Sequence, residues 1–249
     1  MTKPHIIIIG KGRVATHLAC ALAEAGANAT CVSSRNPHPL PEGDLYIIAV
    51  SDDAIASVAT VLGKVNAPVV HTSGTVHIDA LGEHPYRGVF YPLQSFSIQR
   101  KPDFSRIAFC LEASDANALD AMKRCAEILH APVRIMDSEQ RGRLHFAAVV
   151  ASNFCNHLWA MAESILGSGD ALTILQPLIE ETLAKASAIG AADAQTGPAM
   201  RHDFGTLAKQ QKMANALNFP KASEIYRILS ESICELHAKS REQSHGQAH

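Results

Sequence analysis

Three short stretches carry residue types suited to a phosphorylated ligand. The first is Gly10-Lys11-Gly12-Arg13-Val14-Ala15, which fits the spacing G-x-G-x-x-A and follows an apolar run of four isoleucines. Gly10 permits a tight turn, Gly12 has no Cβ to keep a diphosphate from the backbone, and Ala15 lets helix and strand pack closely. A helix opening at Arg13 and Val14 offers free N–H groups and the positive end of its dipole to phosphate. The string alone is weak; a strand before it and a helix after it are the confirming context. The competing reading is a glycine turn that only packs a strand–helix–strand unit.

The second stretch is Ser33-Ser34-Arg35, about 20 residues on, where an acidic residue would bond a ribose 2′-hydroxyl. Two hydroxyls and a guanidinium suit a 2′-phosphate instead, which an aspartate would repel. This predicts NADP(H) in preference to NAD(H), against a merely solvated surface arginine. The third group is Val50-Ser51-Asp52 and Thr72-Ser73-Gly74, each at the end of an apolar run. In open α/β sheets ligands lie outside the carboxyl ends of strands, so both turns are expected beside the cofactor's middle and nicotinamide half. Asp52 or Asp53 can equally cap the next helix.

Candidates for the chemistry follow. His71 ends a strand and is a candidate proton donor, or a strand-end residue bonded to backbone. Gln94, in "YPLQSF", is a candidate substrate ligand, beside Tyr91, Pro92 and Phe96, which can simply pack. In "HFAAVVASNFCNH", His145, Val149, Ser152 and Asn156 follow one helical stripe, with Asn153 on the next ridge. Either these polar residues bond other helices, or they line a cleft in which His145 is a candidate proton donor, Asn153 a substrate-orienting group and Ser152 a substrate ligand. Arg201 can clamp a carboxylate or pair with Asp203.

The elements that must position these residues divide the chain. Strands are expected over 5–9, 29–33, 45–50, 68–71, 88–91, 107–111 and 133–135, with helices over 13–25, 53–62 and 115–130. Continuous apolar strands alternating with helices predict a doubly wound, mostly parallel sheet. From 138 on, the pattern is helical throughout. One long helix is expected to run from a Ser138 cap to 166, with Arg141 spoiling the capping box. A second helix follows Asp170 to Gly190, kinked or broken at Pro177. Two more open on Pro198 and Pro220. The expectation is α/β, with a Rossmann-type dinucleotide-binding domain over 1–137 and an all-α substrate and dimerisation domain over 138–249.

Composition excludes other classes. The 249 residues are 47% hydrophobic with a formal charge of −2, so no global field attracts nucleic acid or anionic membrane. No apolar run approaches membrane-spanning length and no signal peptide is evident, which reads as cytoplasmic. Six scattered cysteines without a C-x-x-C pair read as buried free thiols, and no metal-ligand spacing appears.

Taken together, "GKGRVA", "AVSDDAI", "HTSG", "YPLQSF", "ASNF" and "TGPAMRHD" resemble the Rossmann-like bacterial family with a C-terminal helical domain of unknown function. That family resembles pyrroline-5-carboxylate reductases, ketopantoate reductases and β-hydroxyacid dehydrogenases. The resemblance implies an NAD(P)-binding domain, a helical dimerising domain and reductase or dehydrogenase activity, without a settled substrate. The expectation drawn from the whole is hydride transfer between NADP(H) and a small C=O or C=N substrate in an interdomain cleft. In β-hydroxyacid dehydrogenases the long helix bears a catalytic lysine four residues before an asparagine. Aligned on Asn153, this chain has Val149 there. That departure keeps open a non-catalytic NADP(H) sensor; a deazaflavin-dependent oxidoreductase is a further alternative, since related folds use that cofactor.

Overall fold

The structure, a computed structural model, describes residues 4–35, 37, 39–167 and 170–246. The chain divides into two compact units, Met1–Ala151 and Ser152–His249.

The first unit is built on a seven-stranded sheet: β1 (His5–Ile9), β2 (Asn28–Val32), β3 (Leu45–Ile48), β4 (Val69–His71), β5 (Arg87–Pro92), β6 (Phe109–Ala113) and β7 (Val133–Ile135). Their order is β2-β1-β3-β4-β5-β6-β7, and every pair is parallel except β5 with β6. The isoleucines of β1 show why the sheet is central. Successive side chains of a strand point to opposite faces. Ile6 and Ile8 join Leu18 and Leu22 of helix α1 (Arg13–Glu24) on one side. Ile7 and Ile9 join Ile55, Val58 and Leu62 of helix α2 (Ile55–Leu62) on the other. Both faces are therefore covered, which is the Rossmann-type arrangement. Helix α3 (Ala116–Ile128) is capped by Asp115, whose carboxylate accepts from the backbone of Asn117 and Ala118.

Helix α4 (Ser138–Ala148) departs from the sequence reading. Its cap is Asp137, not Ser138, and Gln140 completes a capping box, so Arg141 spoils nothing. The hydroxyl of Ser138 instead donates to Glu112 on β6 at 2.7 Å. α4 belongs with the first unit, although the sequence pattern groups it with the helical half. The long helix is also not continuous. Val149–Phe154 forms a π-helical segment before helix α5 (Cys155–Leu166). Its wider i→i+5 turn shifts the register, so Ser152 and Asn156 do not extend the row that His145 begins.

The second unit continues with helices α6 (Ala171–Ile189), α7 (Phe204–Ala216) and α8 (Ala222–Gly246). α5 packs on α6 and α7 on α8. α6 passes through Pro177 as one helix and stops at Gly190, whose φ is +91°. Neither late helix opens on its proline: α7 begins after Asp203, whose carboxylate caps Thr206, and Pro198 to His202 form turns. Of the cysteines only Cys110 and Cys125 are buried, while Cys20 and Cys31 are exposed; all six are free thiols. Among the described residues no helix is long and apolar enough to cross a membrane.

Candidate functional site

The carboxyl ends of β1, β3 and β4 lead into the turns at Gly10–Gly12, Ala49–Ser51 and Thr72–Gly74. β1 is where the strand order reverses, with β2 on one side and β3 on the other. That is the place where such sheets open a crevice. Gly10 holds φ +141°, and a Cβ there would collide with the backbone carbonyl of Ala49, so no other residue fits. Its amide donates to Val32 at 3.0 Å and ties the turn to the end of β2. Gly12 differs. It is the residue before α1 and leaves open space, with nothing nearer to a Cβ than 4.0 Å.

A cavity of about 780 Å³ occupies this crevice. Gly12, Arg13 and Val14 line it from the glycine turn, and Ser33, Ser34 and Arg35 from the end of β2. Val50, Ser51, Thr72 and Gln94 line the rest, as the sequence suggests. Lys11, which had no role in the sequence reading, and Phe96, read there only as a packing residue, also contribute. The cavity wall thus carries three cations, Lys11, Arg13 and Arg35, and no carboxylate. Among the described residues none of the three belongs to an ion pair.

Three expected ligand residues do not line the cavity. Asp52 caps no helix; its carboxylate accepts from Thr75 Oγ1 at 2.6 Å. Ser73 Oγ accepts from the amides of Thr75 and Val76, both at 3.1 Å, and Ser73 N donates to His71 Nδ1 at 3.2 Å. Gly74 is buried, and a Cβ there would stand 2.5 Å from His145 Nδ1 and 2.9 Å from Tyr91 Cζ. These bonds make residues 71–76 a rigid turn. Only Thr72 of it faces the cavity.

His71 is fully buried, and among the described residues its Nε2 has no hydrogen-bond partner. Burial, then the charge of Arg141, lowers its pKa to about 4, against smaller opposing effects from the His77 backbone and Asp52. It is a neutral imidazole at ordinary pH, enclosed in the first unit. His145 differs. It is half-exposed on α4, with Nδ1 at 3.0 Å from the Tyr91 hydroxyl and the two rings edge to face at 5.8 Å. Burial pushes Tyr91 up to about 12.

What holds α4 in place is Arg141, a residue that no sequence signal announced. Its side chain has no solvent exposure. It forms an ion pair with Glu112 and donates to the Val76 carbonyl at 2.5 Å and to Ser138 Oγ at 3.1 Å. One guanidinium therefore joins β6, α4 and the end of the 71–76 turn. A buried cation needs such partners, because desolvation would otherwise expel it.

The remaining candidates lie in the second unit. Ser152 and Asn153 are exposed on the π-helical segment, a type of turn that recurs at functional sites. Arg201 is exposed in the turn before α7, and its expected pairing with Asp203 gives way to the Asp203–Thr206 cap.

The fold and crevice define a Rossmann-type α/β protein with a second, all-helical unit. Residues 107–233 match the model of a domain of unknown function, DUF2520. The chain belongs to that family. It is 34% identical to a Bacteroides fragilis protein provisionally named an NADP oxidoreductase, with a TM-score of 0.84 over 94% of this chain and 98% of that one. A Thermotoga maritima protein shares the fold at 20% identity and TM-score 0.68, covering 95% and 99%. So does a reductive aminase from Aspergillus terreus, crystallised with NADPH and ethyl-5-oxohexanoate, at 10% identity and TM-score 0.66, covering 93% of each chain. No protein of curated function matches the chain.

Proposed function

We propose that the protein is an NADP(H)-dependent oxidoreductase acting on a small C=O or C=N compound. The observation that carries this reading is the cavity at the ends of β1 to β4, whose wall has no carboxylate and three cations that form no ion pair among the described residues. Such a wall suits a polyanion. NADP carries a diphosphate and a 2′-phosphate, and the residues present fit both. Gly12 leaves room for the diphosphate at the N-terminus of α1, with Arg13 beside it. Ser33, Ser34 and Arg35 suit the 2′-phosphate, and Lys11 adds a second charge next to the end of β2. Val50, Ser51 and Thr72 would border the nicotinamide half. When bound, the reduced nicotinamide supplies hydride, and that chemistry belongs to the cofactor. The name of the Bacteroides fragilis relative agrees with this reading.

His145 is the proton donor in this proposal. Thr72 lines the cavity, and Gly74, two residues on, packs against His145. Two residues span at most about 7 Å, so the histidine stands next to the nicotinamide end. His71 takes a structural role. Gln94 borders the cavity as a substrate ligand, and Ser152, Asn153 and Arg201 are further substrate-binding candidates. We also propose a homodimer formed by the helical unit. α6 is rich in leucine and isoleucine, yet none of its described side chains is buried, and an apolar helix needs a cover.

Calorimetry with NADPH and NADH tests the cofactor assignment. NADPH should bind at least tenfold more tightly, and Arg35→Ala should remove most of that preference. Oxidation of NADPH across a panel of carbonyls and imines should then find a substrate. No heat with either nucleotide, or a clear preference for NADH, overturns the reading.

A further inference from the structure

The contact between His145 and Tyr91 decides more than a distance. Among the described residues the Tyr91 phenol has one hydrogen-bond partner, His145 Nδ1, and His145 Nε2 has none. A neutral imidazole presents one N–H and one lone pair, while a phenol carries a single hydrogen. Gly74 packs against both rings and leaves no space for a side chain there. Suppose Nδ1 bore the ring hydrogen. It would then donate to the phenol oxygen, and the phenolic hydrogen would have no protein acceptor. Tyr91 is buried, and burial keeps it protonated across the ordinary pH range. A buried hydroxyl hydrogen without an acceptor is unfavourable. The opposite arrangement satisfies both groups.

We propose that Tyr91 donates its hydroxyl hydrogen to Nδ1 of His145 and so fixes the imidazole in the Nε2–H tautomer, which makes Nε2 the atom that presents a proton to the substrate. Tyr91 acts through His145 and is a positioning residue. The tautomer rests on the contact alone; its use in turnover rests on the oxidoreductase reading. In turnover the Nε2 proton passes to the substrate oxygen that has gained an electron pair, as the Tyr91 proton passes to Nδ1. One N–H and one O–H bond break, and one of each forms. The negative charge moves from the substrate alkoxide to the less basic phenolate; solvent then protonates Nε2 as Nδ1 returns its hydrogen to the phenolate, which restores the starting tautomer.

Nitrogen-15 correlation spectra of the full-length protein, recorded above the histidine titration range, read the tautomer directly. His145→Asn assigns the signals. The wild type should show the Nε2–H pattern, and Tyr91→Phe, which keeps the ring, should show a mixture of tautomers. An Nδ1–H pattern in the wild type overturns the proposal even if the variant fails to fold. So does a variant whose pattern is unchanged. In turnover, Tyr91→Phe should lower kcat about tenfold or more at unchanged KM for NADPH; an unchanged kcat overturns the role of Nε2. If neither nucleotide binds but the tautomer behaves as stated, the oxidoreductase reading falls and the Tyr91 assignment stands.

Discussion

The two units handle their apolar side chains in opposite ways. In the first, Ile6 to Ile9, Leu18, Leu22, Ile47 and Phe90 are shut away from water, and each face of the sheet has its own cluster. In the second, the buried hydrophobic residues are Met161 and four alanines among those described. Large side chains stay open: Ile174 is 68% exposed, Leu178 64% and Leu183 69%. A sheet with helices on both faces completes its core within one chain. A set of paired helices leaves outer faces bare. The first unit can therefore hold a fixed charge constellation by itself, while the second calls for a further surface, which we propose is another copy of this chain.

The comparison is tested most severely at Arg141. Replacing it with Met leaves Glu112 without its cation and removes the bond to Val76 at the end of the 71–76 turn. Breaking a buried pair costs about 3–5 kcal/mol. Hydrogen exchange should show that loss in the first unit and little change in the second; an equal loss in both would merge what the comparison separates.

Acid should act on the same unit. Unfolded, His71 takes up a proton near its ordinary value of 6.5; folded, it does so only near 4. Between those values the unfolded chain binds more protons, so stability falls as pH falls. The folded state has this contribution in full above about pH 6.5, and has lost about 3 kcal/mol of it by pH 4. Denaturant melts across that window check this, and His71→Asn should flatten the slope.

The third test belongs to the helical unit. Leu178→Asp with Leu183→Asp should weaken self-association by at least ~1.5–3 kcal/mol for each leucine covered by the partner, and sedimentation should report the monomer mass. The stability of the first unit should not change. A wild-type protein that sediments as a monomer at micromolar concentration would remove the dimer from the comparison. The smallest effect is expected at Asp137→Ala, which removes the capping box of α4 and should cost about 1 kcal/mol of first-unit stability.

Much of the first unit could be read without coordinates, because its signals are local. Four β-branched residues, a glycine turn and an amphipathic helix lie within 20 positions, and each constrains the next. For the same reason Gly12, Ser33, Ser34, Arg35, Ser51 and Thr72 could be placed on the crevice: each follows the end of a strand. Helix periodicity announced the second unit but misplaced its starts at Pro198 and Pro220. A proline is compatible with a first turn without requiring one, and Asp203 offered the stronger cap.

The residues that the sequence misjudged are those whose partners lie far along the chain. Arg141 pairs with Glu112 and Val76, Tyr91 with His145, and Thr75 with Asp52. Periodicity gives the face on which a side chain sits, but not the group it meets. Chain order by itself determined that a parallel sheet would gather glycine, serine and arginine at one edge, since strand and turn propensities are local. Only tertiary structure decided that His71 would be a neutral core residue and His145 an open one. That choice depends on desolvation and on charges brought close by folding, which no local run of sequence contains.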